Sequence, residues 1–443
     1  MGTLLTSILV GISILAIIIL TSKLKLNAFI ALFLVSIFLA FATLPANTIV
    51  NSLRQGFGNT MGSIGFLIIL GAIIGITLDK TGGTISIAKY ILSKTGEKNS
   101  SSALAVTGFI TGLPIFCDSG FIIMSGLAKS FSSKSRIAMP FMATVLATSL
   151  YSVHCLIPPH PGALAAAGII KVNIGYLILI GIIFAIPAAV AAFFWSLWMC
   201  AGKNYPPAEI KGIDADLSEK ELPPTILSFL PIVVPLLLIT IKSLLNLIDK
   251  RGQTLISKMF FFPGEPIFAL SIGVVLAMFL IRKKTIESMN SIFGEAIEKA
   301  GPILVVTAAG GMFGMVIKET GTGESIGKLL AGINIGIVVP FLIAVIMKTA
   351  QGSSTVAIIT TASFVAPMIS VLGLDSEWGR LLTMLSMGAG SMIVSHANDS
   401  YFWVISKFSE IDPATTLKVY SSSTIVMGIV VFICVLLTSL VVL

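Results

Sequence analysis

Four short stretches of this 443-residue chain hold residue types capable of chemistry, each set among long runs of Ile, Leu, Val and Phe. GLPIFCDSGF (112–121) places a carboxylate, Asp118, beside Pro114, Ser119 and Gly120. HCLIPPHPG (154–162) holds two of the three histidines, His154 and His160, together with three prolines and Gly162. QGSSTVA (351–357) strings Gly352, Ser353, Ser354 and Thr355 together just after Lys348. GAGSMIVSHANDSYFW (388–403) gathers His396, Asn398, Asp399 and Ser400 into the densest polar cluster of the apolar chain. Gly388 and Gly390 permit close helix approach just before it.

Each stretch has a chemical reading and a plain one. A carboxylate at bilayer depth costs at least about 2.5–3.5 kcal/mol, so Asp118 must face protein, water or a ligand. It is either a helix-capping or paired group, or an ion or proton ligand at the tip of a re-entrant hairpin with exposed backbone amides. Pro158, Pro159 and Pro161 each remove a backbone donor, which predicts unwound chain through 158–162. Such backbone is tolerated at membrane depth only inside protein or against a cavity. The two histidines have no carboxylate between them and lack HExxH spacing, so neither a zinc site nor any other metal or cofactor is expected. His154 reads as a ring satisfied by a carbonyl. His160, between two prolines, reads as the ring that donates to a carboxylate and carries a proton. Residues 351–357 suit a helix N-terminus whose amides and hydroxyls point at an anion, or an ordinary Ser/Thr cap. In the last stretch Asn398 and Ser400 suit substrate hydroxyls or a carboxylate, while Asp399 balances His396 or carries the coupling ion. A structural polar network between helices is the competing reading there.

The chain that must position these groups is 56% hydrophobic and 11% charged, with a mean hydropathy of +1.02. A soluble protein carries about 25% charged residues. Apolar stretches of about twenty residues, enough to cross a hydrocarbon core about 30 Å thick, recur from end to end. Full spans are predicted at 3–20, 27–44, 62–79, 175–199, 227–247, 263–281, 301–318 and 421–441, with two broken apolar regions at 102–170 and 333–405. The fold class is therefore an all-α polytopic membrane protein, and the lipid bilayer is its first partner. The net charge of +8 comes mostly from short connections that follow the positive-inside rule, so nucleic acid is not a partner. Cys117, Cys155, Cys200 and Cys434 are scattered in apolar surroundings and read as packing residues. Residues 1–20 lack a basic n-region and a cleavage site, and read as an uncleaved first span with its N-terminus outside. With no GxxxxGK[ST] segment, an ATPase is excluded, leaving an ion-gradient-driven transporter or a channel.

The halves of the chain correspond. Gly75-Ile-Thr-Leu-Asp-Lys-Thr-Gly82 matches Gly314-Met-Val-Ile-Lys-Glu-Thr-Gly321, and at nearly the same offset Asp118-Ser119-Gly120 falls near Ser353-Ser354-Thr355 and His160 on His396. This divides the chain into an N-terminal membrane repeat (1–200), a polar, cytoplasmic linker (201–226) and a C-terminal membrane repeat (227–443). Lys23 and Lys25 precede the second span, whereas Arg282-Lys283-Lys284 follow its partner in the other half. If both clusters are cytoplasmic the repeats are inverted, and inverted halves with broken segments at matching positions point to a secondary transporter and its site.

GLPIFCDSGF, HCLIPPHPGALAAA, QGSSTVA and SHANDSYFW occur here in an order that resembles the gluconate:proton symporter family, the gluconate permeases, which also include D-serine permeases. The resemblance covers nearly the whole chain. It implies inverted-topology repeats with two re-entrant hairpins and broken helices, elevator-type motion in a homodimer, and uptake of small hydroxy or amino carboxylates with protons across the bacterial inner (plasma) membrane. The family pattern has Glu where this chain has Asp118, and Pro where it has Ala163. Those departures leave the substrate open and the transport reading intact.

The reading is a proton-coupled symporter, not an enzyme, importing a small organic anion, with gluconate or a related sugar acid first. Substrate would be held by Asp118, Ser119, Gly120, His160, Gly162, Gly352, Ser353, Ser354, Thr355, His396, Asn398 and Ser400. Asp118, His160, His396 or Asp399 would carry the proton. The alternatives are a sodium-coupled carboxylate or dicarboxylate transporter, a D-serine-type amino acid permease, and, remotely, a membrane-embedded metalloenzyme.

Overall fold

The structure, a computed structural model, describes residues 3–443 except 23, 25, 96–98, 114, 209–221, 250–253, 283–284, 321–335 and 397–398. Among the described residues every regular element is a helix. The first half runs α1 (Thr3–Ser22), α2 (Ala28–Thr43), α3 (Ala46–Lys80), α4 (Gly83–Thr95), α5 (Ser100–Gly112), α6 (Cys117–Ser135), α7 (Met139–Leu156), α8 (Pro161–Ile170) and α9 (Ile174–Cys200). The second runs α10 (Thr225–Ile248), α11 (Leu255–Phe261), α12 (Pro266–Met278), α13 (Ile286–Glu319), α14 (Val338–Gln351), α15 (Ser354–Val365), α16 (Glu377–Met392) and α17 (Ser400–Phe408). It ends in α18 (Pro413–Val442), which contains a π turn at Leu417–Ser421.

The spans differ from the hydropathy reading in instructive ways. Six helices among the described residues are long and apolar enough to cross a membrane, or seven if α11 and α12, bent by 65°, count as one. Segment 263–281 is one such departure: it shortens to the 13-residue α12, because Pro266 cannot continue the preceding α11 and the chain bends by 65° between them. Segment 27–44 becomes the 16-residue α2, about 24 Å long and short of a full crossing. In the opposite sense α3 and α13 reach 35 and 34 residues, far beyond 62–79 and 301–318. Their extra turns are polar, and helix-to-helix contact rather than hydropathy holds them. Ser52 donates to Glu319 and Lys80 lies 2.5 Å from Glu295, a carboxylate that Lys299 of α13 itself also approaches at 3.1 Å within the helix.

Those contacts fix direction: the start of α3 meets the end of α13, and the end of α3 meets the start of α13. The two helices are antiparallel. Their backbones nearly touch, since a Cβ on Gly56 would lie 2.7 Å from the Gly311 carbonyl, and one on Gly311 would lie 1.9 Å from Thr60 Oγ1. The same relation recurs in α7 and α16, where Gly388 packs on Cys155 and Tyr151 reaches Ser391. It recurs again in α9 and α18, where Trp195 near one end donates to Ser422 near the other. The basic residues that carry the orientation argument from charge, Lys23, Lys25, Lys283 and Lys284, lie outside the described residues, as does the linker segment 209–221.

Buried apolar side chains form two large cores. One joins α6, α7 and α9 to α16, α17 and α18. The other joins α1, α2 and α3 to α12 and α13. Each draws on both halves of the chain. Helices α8 and α15 lie across the boundary: Leu164 and Ala165 belong to the second core but Ala163 and Ala166 to the first, and Ile359 and Ile358 divide likewise.

The α3–α13 contact predicts the effect of filling it. Gly56→Leu should lower the stability of the detergent-solubilised protein by about 1–3 kcal/mol, because the new side chain meets backbone that cannot yield. Gly58→Ala, with nothing within 4 Å of its Cβ, should be neutral or stabilising by up to about 1 kcal/mol. Thermal denaturation followed by fluorescence measures both.

Candidate functional site

Helix α7 is the axis of the site; every residue from Met139 to Leu156 is buried. It ends before Pro158 as the sequence predicts, with Ile157 in extended backbone, but the unwound stretch is shorter than 158–162. Helix resumes at Pro161, which is tolerated in a first turn where no backbone donor is needed, so Gly162 is helical. The intervening residues include a cis Pro158–Pro159 bond. His160 is thereby placed as the N-cap of α8, where its side chain does not cap the helix.

His160 instead turns inward. Its Nε2 lies 2.6 Å from the Gly112 carbonyl at the end of α5, and its Nδ1 lies 3.2 Å from His154 Nδ1. A carbonyl only accepts, so Nε2 of neutral His160 donates and its Nδ1 accepts. His154 Nδ1 must then donate, leaving His154 Nε2 as an acceptor, and it lies 3.4 Å from Thr355 Oγ1. The network therefore runs from Thr355 through His154 and His160 to Gly112. His160, the ring the sequence favoured, commits both nitrogens to protein, and His154 is the ring that faces α15.

The first turn of α15 sits against α8 and α7. A Cβ on Gly162 would lie 3.0 Å from Thr355 Cα, so this position admits no side chain without displacing α15. Ser353 caps α15 by accepting from the Val356 N–H at 3.3 Å, which leaves the amides of Ser354 and Thr355 as first-turn donors. The Ser354 hydroxyl lies 3.0 Å from the Tyr151 hydroxyl, and Tyr151 also donates to the Ser391 carbonyl at 3.1 Å. Gly352, with φ of 81°, makes the sharp turn between α14 and α15.

At that turn stands Lys348, with 0% of its side chain exposed. Its ammonium donates to Asp399 Oδ2 at 2.6 Å and to the Gly352 carbonyl, and lies 5.6 Å from the centre of the Tyr151 ring. Asp399 caps α17 through the Tyr401 N–H at 3.0 Å, and its Oδ2 also accepts from the Ser395 hydroxyl. The Tyr401 hydroxyl returns to α7, donating to the Ala147 carbonyl at 3.0 Å. A cation, a carboxylate and the N-termini of α8, α15 and α17 are thus gathered around the last turns of α7.

Helix α6 brings Asp118 into electrostatic reach of Asp399 and Lys348. Its Oδ1 is buried without a hydrogen-bond partner among the described residues. Gly120 packs on Leu150 of α7, and Ser119 beside it is half-buried. The remaining site residues expected from sequence are placed less centrally. His396 is half-buried; among the described residues only its carbonyl is engaged, accepting from the Asp399 N–H at 2.8 Å. Ser400 is exposed at the start of α17, and Asn398 and Pro114 lie outside the described residues. Sequence reasoning passed over Lys348, Tyr151, Tyr401 and Ser395. Lys348 carried a usable signal, a lone cation inside FLIAVIMKTA, since an ionisable residue at bilayer depth needs a partner and marks function. The tyrosines look like ordinary core residues until their hydroxyls are traced. Among the described residues no group of three or more His, Cys, Asp or Glu is arranged to hold a metal ion.

With this geometry in hand, comparison with known proteins is direct. Residues 4–441 match the model of the GntP family permease. The chain is 32% identical to the inner membrane permease YgbN of Escherichia coli (strain K12), over 96% of each chain. It is 29% identical to the high-affinity gluconate transporter of the same organism, over 94% of each. Among solved structures it is similar in fold to Neisseria gonorrhoeae MtrF, of a class of antimetabolite efflux pumps. The TM-score there is 0.61 at 16% identity, covering 88% of this chain and 85% of that one. The chain belongs to the GntP permease family, and is a multi-pass membrane transporter rather than an enzyme.

Proposed function

We propose that this permease takes up a small organic anion, gluconate or a related sugar acid, together with protons across the bacterial inner membrane. The observation that carries the reading is Lys348, a wholly buried cation set at the first turn of α15 and beside the N-cap of α17. A carboxylate admitted there would meet a positive charge, unclaimed backbone amides and hydroxyls at once, with the helix dipoles adding to the attraction. The substrate class follows the high-affinity gluconate transporter that this chain resembles, and the membrane follows YgbN.

In this reading Ser119–Gly120 and Gly352–Thr355 bind the carboxylate end, while Gly162 lets α15 approach closely enough to share it. His154, which faces α15, binds hydroxyls with His396, Asn398 and Ser400, in place of His160, whose two nitrogens are held by Gly112 and His154. Asp118, Asp399, His154 or His396 takes the proton. Two inverted-topology repeats, 1–200 and 227–443 joined by the linker 201–226, are supported by the antiparallel packing of α3 with α13, α7 with α16 and α9 with α18. The helix–break–helix units α5–α6 and α14–α15 are the two re-entrant hairpins. An elevator-type movement within a homodimer would slide one core past the other, carrying the site that lies at their boundary. The cluster is closed here, since His154, His160, Ser354, Lys348 and Asp399 are all buried, so binding requires such a movement.

Uptake into proteoliposomes tests this directly. Radiolabelled gluconate should accumulate when the lumen is alkaline, and a protonophore should abolish the accumulation. Accumulation that needs sodium and ignores the protonophore, or uptake of D-serine without uptake of any sugar acid, would refute it. The two histidines should differ in kind. His160→Ala leaves the Gly112 carbonyl unpaired and should cost about 1–3 kcal/mol in a thermal melt. His154→Gln should melt closer to the wild type and lose gluconate uptake.

A further inference from the structure

Buried ion pairs are often structural, and the arrangement around Asp399 tests whether this one is. Its two oxygens have separate tasks. Oδ1 caps α17 through the Tyr401 N–H, while Oδ2 accepts from Lys348 and from the Ser395 hydroxyl. Ser395 is itself fixed, its N–H donating to Thr424 Oγ1 at 3.3 Å and its carbonyl accepting from the Ser421 hydroxyl. Among the described residues, the other ionisable groups facing the pair are Asp118 and Cys117 of α6, Tyr151 of α7, Tyr401 of α17 and Tyr420 of the α18 π turn, with His154 and Cys155 of α7 facing Lys348. The cation among these groups is Lys348, and it is already matched by one carboxylate. An arriving anion would set its charge and that of Asp399, with the Asp118 carboxyl nearby, against one positive charge in a closed, desolvated cluster, which is unfavourable unless Asp399 or the anion is neutralised.

Building on the proton-coupled reading, we infer that Asp399 and the substrate carboxylate are alternative partners of Lys348, and that one proton delivered to Asp399 hands the lysine to the anion. The local geometry permits the exchange without unravelling the site. A protonated Oδ2 donates to the Ser395 hydroxyl, which can accept as readily as donate. Oδ1 remains an acceptor, so the α17 cap survives. The freed ammonium keeps the Gly352 carbonyl and so stays beside the Ser354 and Thr355 amides, where the carboxylate would bind. When the anion leaves, Lys348 returns to Asp399 and expels the proton. The result is one proton carried per carboxylate.

Equilibrium binding of radiolabelled gluconate to purified protein across a pH series tests this on the wild type, D399N, D118N and the double variant K348Q/D399N. Asn caps a helix as well as Asp, so D399N preserves α17. The double variant removes both charges and leaves neither buried alone. Wild-type affinity should fall about tenfold for each unit rise in pH once Asp399 is ionised in the empty protein. D399N should bind with an affinity independent of pH. K348Q/D399N should run as a monodisperse folded protein in size-exclusion chromatography and lose gluconate affinity by about a hundredfold or more. A wild-type slope retained in D399N, a slope lost in D118N but kept in D399N, or gluconate binding by the folded double variant would overturn the inference while leaving proton-coupled uptake standing. Wild-type binding that is flat with pH and requires sodium would remove the proton reading, and the inference with it.

Discussion

A charge at bilayer depth must be paired at every moment, and the architecture around Lys348 follows from that constraint. The ammonium is held by Asp399 and by the Gly352 carbonyl, which belong to separate breaks in the helical chain. Neither break would be tolerable facing lipid, because the freed backbone groups would have no partners. Both are enclosed instead by α7, a helix buried on all sides, whose Tyr151 and His154 bond to the first turn of α15. The prolines, the glycines and the buried polar side chains are thus consequences of one requirement. The chain keeps a cation and unwound backbone away from lipid and beside the first-turn amides of α15.

The same enclosure accounts for the position of the candidate site between two cores rather than inside one. A site within a single close-packed core could open only by disrupting that packing. Helices α8 and α15 contribute side chains to both cores, so a shift of one core against the other would move them relative to α7 and α17. The close approach of Gly162 to Thr355 holds α8 and α15 together, so the two would move as a unit.

Much of this was legible in the sequence, but unevenly. The membrane class, a break at the prolines and the placement of Ser353 at a helix N-terminus follow from local rules of hydropathy, proline geometry and capping. The unwound stretch, however, is shorter than 158–162, and Asp399, read as a partner of His396 or an ion carrier, caps α17 and holds Lys348. Helix lengths did not follow, because the polar turns of α3 and α13 are held by each other across the whole chain. Nor did the partners within the site. Lys348 and Asp399 are 51 positions apart and Tyr151 and Ser354 are 203 apart, and no periodicity connects them. His160 stood out for its flanking prolines, yet those prolines are what turn the ring toward Gly112 and commit it to structure. The correspondence between the halves is a feature of the sequence, and the antiparallel packing of α3 with α13 supports the repeats proposed from it.

The account stands on the claim that anion and proton enter this cluster together. The most direct measurement is proton exchange by the purified protein in lightly buffered solution with a pH indicator, followed as gluconate is added to saturation. The account predicts one proton taken up for each gluconate bound, with the uptake abolished in D399N. Binding of gluconate with no proton uptake, or with proton release, would contradict it.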